Sequence, residues 1–291
     1  MAERNAKLIL MVGVLGVSAS AILVRFSQAP SGVTAAYRLG WTVLLLLPVV
    51  LLRCRAELRR VTARDLVLCG ASGVLLALHF LTWFESLKRT SVASSTVLVS
   101  TEVIFTALGF ALFLHGKIPR LGVWAILLAF GGSALLALSG GGGAGELSGN
   151  LLALAAASAA AVYTLIGRVQ RGHLSTTVYT FLTYLACFLT LLLGTAAAGT
   201  PLTGYGGREW LIGLALAVLC TLLGHSLFSW CLKYLSPSYV SAAKLCEPVF
   251  SSLAAIPLFG EVPGPLQLAG GAAVLGAVLL YTWEREKTPA G

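Results

Sequence analysis

Leu87-Lys88-Arg89-Thr90-Ser91 returns 145 residues later as Leu232-Lys233-Tyr234-Leu235-Ser236. The same offset carries Glu102 onto Glu247. Past one extra residue near His115, Gly116-Lys117-Ile118-Pro119 returns as Gly260-Glu261-Val262-Pro263. Solenoid units repeat every ~20–50 residues, so a period this long marks a duplicated bundle. The copies are expected to cover residues 1–143 and 144–291.

The 291 residues are 57% hydrophobic and only 11% charged, against ~25% charged in a soluble domain. A water-soluble fold of this size could not hide that much apolar surface, so the solvent is lipid. A spanning helix needs ~20 mostly apolar residues. Ten such stretches are expected: Ala6–Phe26, Ser31–Leu52, Leu66–Leu87, Val92–Leu114, Arg120–Ser139, Gly149–Arg168, Thr176–Ala198, Trp210–Leu232, Ser238–Phe259 and Pro265–Trp283. The expected class is therefore an all-α polytopic membrane protein. Five spans per copy is an odd number, so the second copy must enter the membrane from the opposite face. The two five-helix repeats are inverted.

The formal charge of +9 invites a nucleic-acid reading, but the placement of the charges argues against one. With a cytoplasmic N-terminus, the inner segments hold 14 lysines and arginines. The outer ones hold 4: Arg25, Lys88, Arg89 and Arg208. Arg38 and Lys244 sit inside helices. Such a bias is what orients a protein in the cytoplasmic membrane, here with both termini in the cytoplasm. Lys7, the apolar Leu8–Gly16 and the small residues Ser18–Ala21 resemble a signal peptide. A retained first span is expected instead, since cleavage would orphan the partner of the sixth.

Two further patterns exclude chemistry. Gly140–Gly145 matches GxGxxG, but a dinucleotide site needs a strand before it and this run joins two membrane spans. The six cysteines lack CxxC spacing and read as small packing residues rather than metal ligands or disulfides. Gly13, Gly16, Gly131, Gly132, Gly270, Gly271 and Gly276 suit close helix approach within the bundle. Pro48 and Pro257 are candidate kinks.

Charges at the bilayer centre cost ~2.5–3.5 kcal/mol each on insertion scales, so they face a cavity or one another. Arg38, Glu102, Lys244 and Glu247 qualify. The two glutamates fall near the middle of their spans and are related by the repeat. Lys244 and Glu247 are three apart and share a helical face. A structural reading pairs Lys244 with Glu247 and Arg38 with Glu102. A functional reading places substrate among them, as inverted-repeat transporters do at the midplane. Around them stand His79, Phe80, Trp83 and Phe84 in the third span and His225, Phe228 and Trp230 in the eighth. Of these, His79, Trp83, His225 and Phe228 are candidate substrate contacts through stacking or cation–π contact. Glu85 and Lys88 are expected to form an interfacial pair.

Glu247–Pro263, EPVFSSLAAIPLFGEVP, resembles the second-half signature of EamA-type members of the drug/metabolite transporter superfamily. Ala36-Tyr37-Arg38-Leu39 is similar to that family's basic position in the second span, and Ser91–Ser95 to its junction of spans three and four. The first copy departs from the pattern at Val103, where the family often has proline, and at Lys117, which replaces the terminal Glu. The resemblance covers the whole chain. It implies alternating access by rocking of the repeats, with the substrate held centrally among spans three, four, eight and nine. It also implies export or uptake of small organic metabolites such as amino acids.

The expected function is therefore secondary transport of a small organic molecule, with a proton as candidate co-substrate. A lipid flippase using the same cavity is one alternative. An intramembrane enzyme is another, though the chain has no HExxH or GxSxG motif. No cofactor, metal or nucleic-acid partner is expected beyond solute and bilayer. Monomer and dimer remain equal alternatives.

Overall fold

The computed structural model describes residues 2–113, 120–139, 144–170, 172–225, 227, 231 and 245–287, and every element assigned among them is helical. In chain order these are α1 (Ala2–Phe26), α2 (Ser31–Arg53), a single turn α3 (Arg55–Leu58), α4 (Ala63–Arg89), α5 (Val92–Val99) and α6 (Glu102–Phe113). There follow α7 (Arg120–Ser139), α8 (Ala144–Gln170), α9 (Thr176–Ala197) and α10 (Gly207–Ala215), which runs into a π-helical segment (Leu216–His225). The last two are α11 (Cys246–Phe259) and α12 (Pro265–Lys287).

Seven helices among the described residues are long and apolar enough to cross a membrane, and Arg120–Leu136, Cys246–Phe259 and Pro265–Tyr281 are shorter apolar helices. Large apolar side chains such as Leu52 (84%), Leu138 (75%) and Leu193 (72%) stand exposed on the outside. A hydrocarbon solvent accepts that surface, and in it only helices or closed barrels satisfy every backbone group. The chain is a multi-pass membrane protein.

Local chemistry sets the helix ends. Thr62 and Asp65 form a reciprocal capping box at the start of α4, and the hydroxyls of Ser91 and Ser175 cap α5 and α9. Gly260, at φ 69°, closes α11 in the left-handed region that glycine enters without steric cost. Helix α2 runs through Pro48 and α11 through Pro257, so neither proline ends its helix.

Two departures from the expected spans matter. The expected continuous Val92–Leu114 is broken at Ser100–Thr101, immediately before Glu102. Its hydroxyl side chains bond backward: Thr96 to Val92 O at 2.7 Å, Ser100 to Thr96 O at 2.9 Å and Thr101 to Leu98 O at 2.6 Å. Such bonds compete with the i→i−4 ladder. The expected Trp210–Leu232 begins at Gly207 and leaves α geometry at Leu216. Expected Ser238–Phe259 is described from Leu245 onward.

Helix α4 packs on α8 and α9, α2 on α9 and α10, α1 on the π segment and α11, and α7 on α12. The main core draws on α1 (Ala21, Val24), α2 (Leu39), α4 (Phe80, Trp83, Phe84), α9 (Tyr184, Leu191), the π segment (Cys220) and α11 (Ala255). Both sequence halves therefore build one core. All six cysteines are free.

Glycines permit the closest crossings. Gly132 and Gly270 each place a missing Cβ 2.8 Å from the other's carbonyl oxygen, joining α7 to α12. At Gly73 a Cβ would lie 2.5 Å from Ala186 Cβ and 2.7 Å from Cys187 N. Gly73→Val is expected to force α4 off α9 and destabilise the protein by ~1–3 kcal/mol or more. A lowered melting temperature in detergent, with Gly131→Val as an unaffected control because nothing lies within 4 Å of that site, checks this.

Two buried carboxylates tie the sequence halves together in matching ways. Asp65, third residue of α4, accepts from Gln170 Nε2 (3.2 Å), at the end of α8, and from His173 Nε2 (2.6 Å), in the connection that follows it. Glu209, third residue of α10, accepts from Ser27 Oγ (2.6 Å) and Gln28 N–H (3.1 Å), in the connection from α1 to α2. Each is 4% exposed. Each carboxylate thus joins a helix of one sequence half to a helix–helix connection of the other.

Candidate functional site

Among the described residues Arg38 is the largest fully buried side chain, 2% exposed. Its position in α2 aims it between the two halves. Nε donates to Thr221 Oγ1 in the π segment at 3.0 Å, and Nη1 to Ser20 Oγ in α1 at 3.1 Å. The guanidinium carbon lies 4.4 Å from the centroid of the Phe80 ring in α4, a cation–π distance. Four elements thus converge on one cation. Thr221 Oγ1 itself donates to Leu216 O five residues back, at 3.3 Å, within the π-helical segment, a geometry frequent at functional sites.

No carboxylate among the described residues lies within ion-pair distance of Arg38. Its hydrogen bonds go to neutral hydroxyls, although Glu247 is within electrostatic reach. A guanidinium has five N–H donors, and the two hydroxyls engage two of them. A buried cation so arranged can receive a planar anionic group.

From Phe80 the ring contacts continue along α4. Phe80 lies 5.2 Å from His79 and 5.6 Å from Phe84, and His79 stacks on Trp83 at 5.9 Å and 24°. His79 Nδ1 donates to Ala156 O of α8 at 2.9 Å, which fixes the ring. Trp83 is 5% exposed, and its Nε1 has no hydrogen-bond partner among the described residues. An orphaned buried donor costs ~1–3 kcal/mol. An acceptor on a bound molecule would relieve that cost.

The acids occupy equivalent places. Glu102 lies in the first turn of α6 and Glu247 in the first turn of α11, where the helix dipole favours negative charge. Thr164 Oγ1 of α8 donates to Glu102 Oε1 at 2.8 Å. Glu102 is half-buried and within electrostatic reach of His79, which also feels Arg38. Together the residues present a cation with spare donors, an indole N–H and a carboxylate acceptor.

Of the residues expected from sequence, Arg38, His79 and Trp83 are brought together by the ring chain, with Glu102 within electrostatic reach of His79 and Glu247 within electrostatic reach of Arg38. Lys244, Phe228 and the side chain of His225 lie outside the described residues, as does Trp230; the backbone of His225 closes the π segment. The structural pairing of Arg38 with Glu102 does not form, because hydroxyls hold each. Glu85 pairs with Arg89 at 2.8 Å, four residues on, and accepts from Ser31 Oγ at 3.0 Å. Lys88 instead donates to Ala29 O at 2.6 Å, because it projects toward the α1–α2 connection. Sequence reasoning missed Ser20, Thr164 and Thr221. Hydroxyls in apolar helices mostly bond their own backbone, as Ser18 does to Val14 O, so no pattern singles these three out.

A recess of about 300 Å³ lies apart from Arg38, between the start of α5 and the end of α11, lined by Ser91, Ser252, Ala255, Glu261 and Gln267.

The EamA-like transporter family profile matches residues 5–138 and again 147–283. Among curated proteins, the pseudopaline exporter CntI of Pseudomonas aeruginosa is 24% identical over 71% of this chain and 72% of its own length. A protein named "Probable terminal-alkyne amino-acid exporter", from Streptantibioticus cattleyicolor, is 28% identical over 76% and 75% respectively. A solved crystal structure matches 99% of this chain and 99% of its own, at a TM-score of 0.61 and 19% identity, a likeness of fold alone.

Proposed function

Because this chain belongs to the EamA-like transporter family, we propose that it exports small amino-acid-like solutes bearing both a carboxylate and an amine. The protein is a small-solute transporter. One observation carries the substrate class, the direction and the roles of individual residues. Arg38 is a fully buried cation that, among the described residues, is held by neutral hydroxyls and an aromatic face. A substrate carboxylate takes N–H donors of Arg38, and the Trp83 indole N–H offers a further one. Glu102 or Glu247 receives the ammonium group or a coupling proton. The names of both relatives, an exporter of pseudopaline and an exporter of an amino acid, favour outward movement of such solutes.

The same reading gives ten spans as two inverted five-helix repeats, residues 1–143 and 144–291, in the cytoplasmic membrane with both termini inside. The family profile matching twice, the reciprocal Asp65 and Glu209 contacts and the 14-to-4 charge bias support it. Transport then proceeds by rocking the halves about the central site. Lys244, His225 and Phe228 belong to that site by their places in the repeat.

The test is a thermal-shift screen of purified protein, followed by counterflow in liposomes. Ligands bound by the native state raise its stability. Zwitterionic amino acids are expected to raise the melting temperature and exchange across the vesicle wall. Matched simple amines and simple carboxylates are expected to do neither. Lipid exchange between leaflets, with no solute movement, would make the protein a flippase instead.

A further inference from the structure

The corner between α4 and α5 presents two helix ends side by side. Leu87 and Thr90 offer carbonyl oxygens from the end of α4, and Val92 offers an N–H from the first turn of α5. Helix ends leave such groups without intrahelical partners and carry opposite partial charges. Arg25, in the last turn of α1, donates through Nη1 to Leu87 O and, at 3.3 Å, to Thr90 O. Glu261 accepts from Val92 N–H at 2.7 Å. Arg25 Nη2 and Glu261 Oε1 form an ion pair with each other. A cation therefore meets the negative helix end and an anion the positive one, and the two close on each other.

This arrangement joins parts that no helix holds together. Arg25 comes from α1. Glu261 follows Gly260, whose left-handed turn (φ 69°) ends α11 and directs the chain back. Arg25 also lies 5.7 Å from the Phe259 ring. Gln267 of α12 adds donors to Ser91 and Ser94 at 3.2 Å each. Beneath the ion pair is an apolar layer of Ala21, Val24, Leu87, Val92 and Ala255, each no more than 1% exposed. Lock and seal occupy one face of the membrane, the outer one on the orientation expected from the charge bias.

By sequence, the repeat-related positions at the other face do not carry the same pair. The repeat offset carries Arg25 onto Gln170 and Glu261 onto Lys117. Gln170 is neutral, and its amide is used on Asp65. A glutamine and a lysine cannot reproduce a guanidinium–carboxylate lock.

We propose that Arg25 and Glu261 form a one-sided ionic gate that closes the mouth of the pathway against the α4–α5 corner. Solute released outward must pass while this pair is parted, and its one-sidedness biases the resting protein toward closure at that face. The proposal rests on the alternating-access reading above.

Ala21→Cys tests it. This side chain is fully buried one helical turn below Arg25 and changes little in size. Intact cells are treated with a membrane-impermeant maleimide, using protein without the new cysteine to set the background. The closed gate keeps the thiol unreactive. Adding Glu261→Gln is expected to raise its labelling rate at least tenfold, and adding Arg25→Gln to do the same. The two together are expected to give no more than either alone, because they remove one lock. Glu261→Gln keeps an acceptor for Val92 N–H, and a melting temperature within a few degrees of the parent shows that labelling does not report unfolding. Gln267→Ala, a milder change, is expected to raise labelling less. Unchanged labelling in folded variants that still carry solute overturns the gate and leaves the carrier reading intact.

Discussion

A protein carrying Arg38→Met stays folded in the membrane and stops carrying amino-acid-like solutes. The two halves of that result separate the roles open to a buried cation. Arg38 makes two hydrogen bonds to hydroxyls and one ring contact, and it is 2% exposed. Replacing a buried ion pair by apolar side chains is often neutral or stabilising, because the desolvation cost disappears with the charges, and among the described residues no carboxylate pairs with Arg38 to be left uncompensated. Stability is therefore expected to hold or rise. A bound carboxylate, in contrast, loses two charge-assisted hydrogen bonds of ~1.5–3 kcal/mol each. That corresponds to at least ~100-fold weaker binding. Counterflow at a fixed low solute concentration measures the loss, and a melting curve in the same detergent measures the fold. Arg38→Lys is expected to fall well below the wild type, since a point charge cannot replace a planar fork reaching both Ser20 and Thr221. Retained transport in the methionine protein would remove Arg38 from the substrate site.

The second large effect is expected at Glu102. Glu102→Gln keeps a carbonyl oxygen that can accept the Thr164 hydrogen bond now made at 2.8 Å, so α6 and α8 stay joined. What is lost is the negative charge. Removing one partner of a buried, hydrogen-bonded charge pair costs ~2–5 kcal/mol, so solute uptake into vesicles is expected to fall ~30-fold or more. The same substitution at Glu247, its repeat counterpart, is expected to abolish transport with expression intact. Normal rates at every pH in either variant would exclude that acid from the mechanism. If the glutamate instead carries the coupling proton, exchange without a pH gradient survives while gradient-driven transport fails.

Much of the fold could be read from the chain because lipid leaves little choice. A hydrocarbon solvent demands long apolar helices, and the return of Glu102 as Glu247 places the acids on related elements. The break before Glu102 was not legible. No glycine or proline marks it, and it arises from hydroxyls bonding their own carbonyls within an apolar run. The π segment was equally hidden, since its residues suit an α-helix as well. At the site, charges stood out because lipid makes them expensive, whereas Ser20, Thr164 and Thr221 look like ordinary helix hydroxyls. Arg25 counted in the sequence only as an external charge. Its contact with Glu261 depends on how α1 meets the end of α11, and no local pattern encodes that meeting.

The crossed carboxylates carry a consequence for how the protein is made. Gln170 and His173 follow Asp65 by 105 and 108 residues, and Glu209 follows Ser27 by 182. Asp65 therefore leaves the ribosome long before its partners exist, and the opening helices wait for the closing ones before either set is secured. These contacts cannot close until Glu209 has been made. On the inverted-repeat reading proposed above, one copy alone would need a second molecule threaded in the opposite sense to satisfy the same groups.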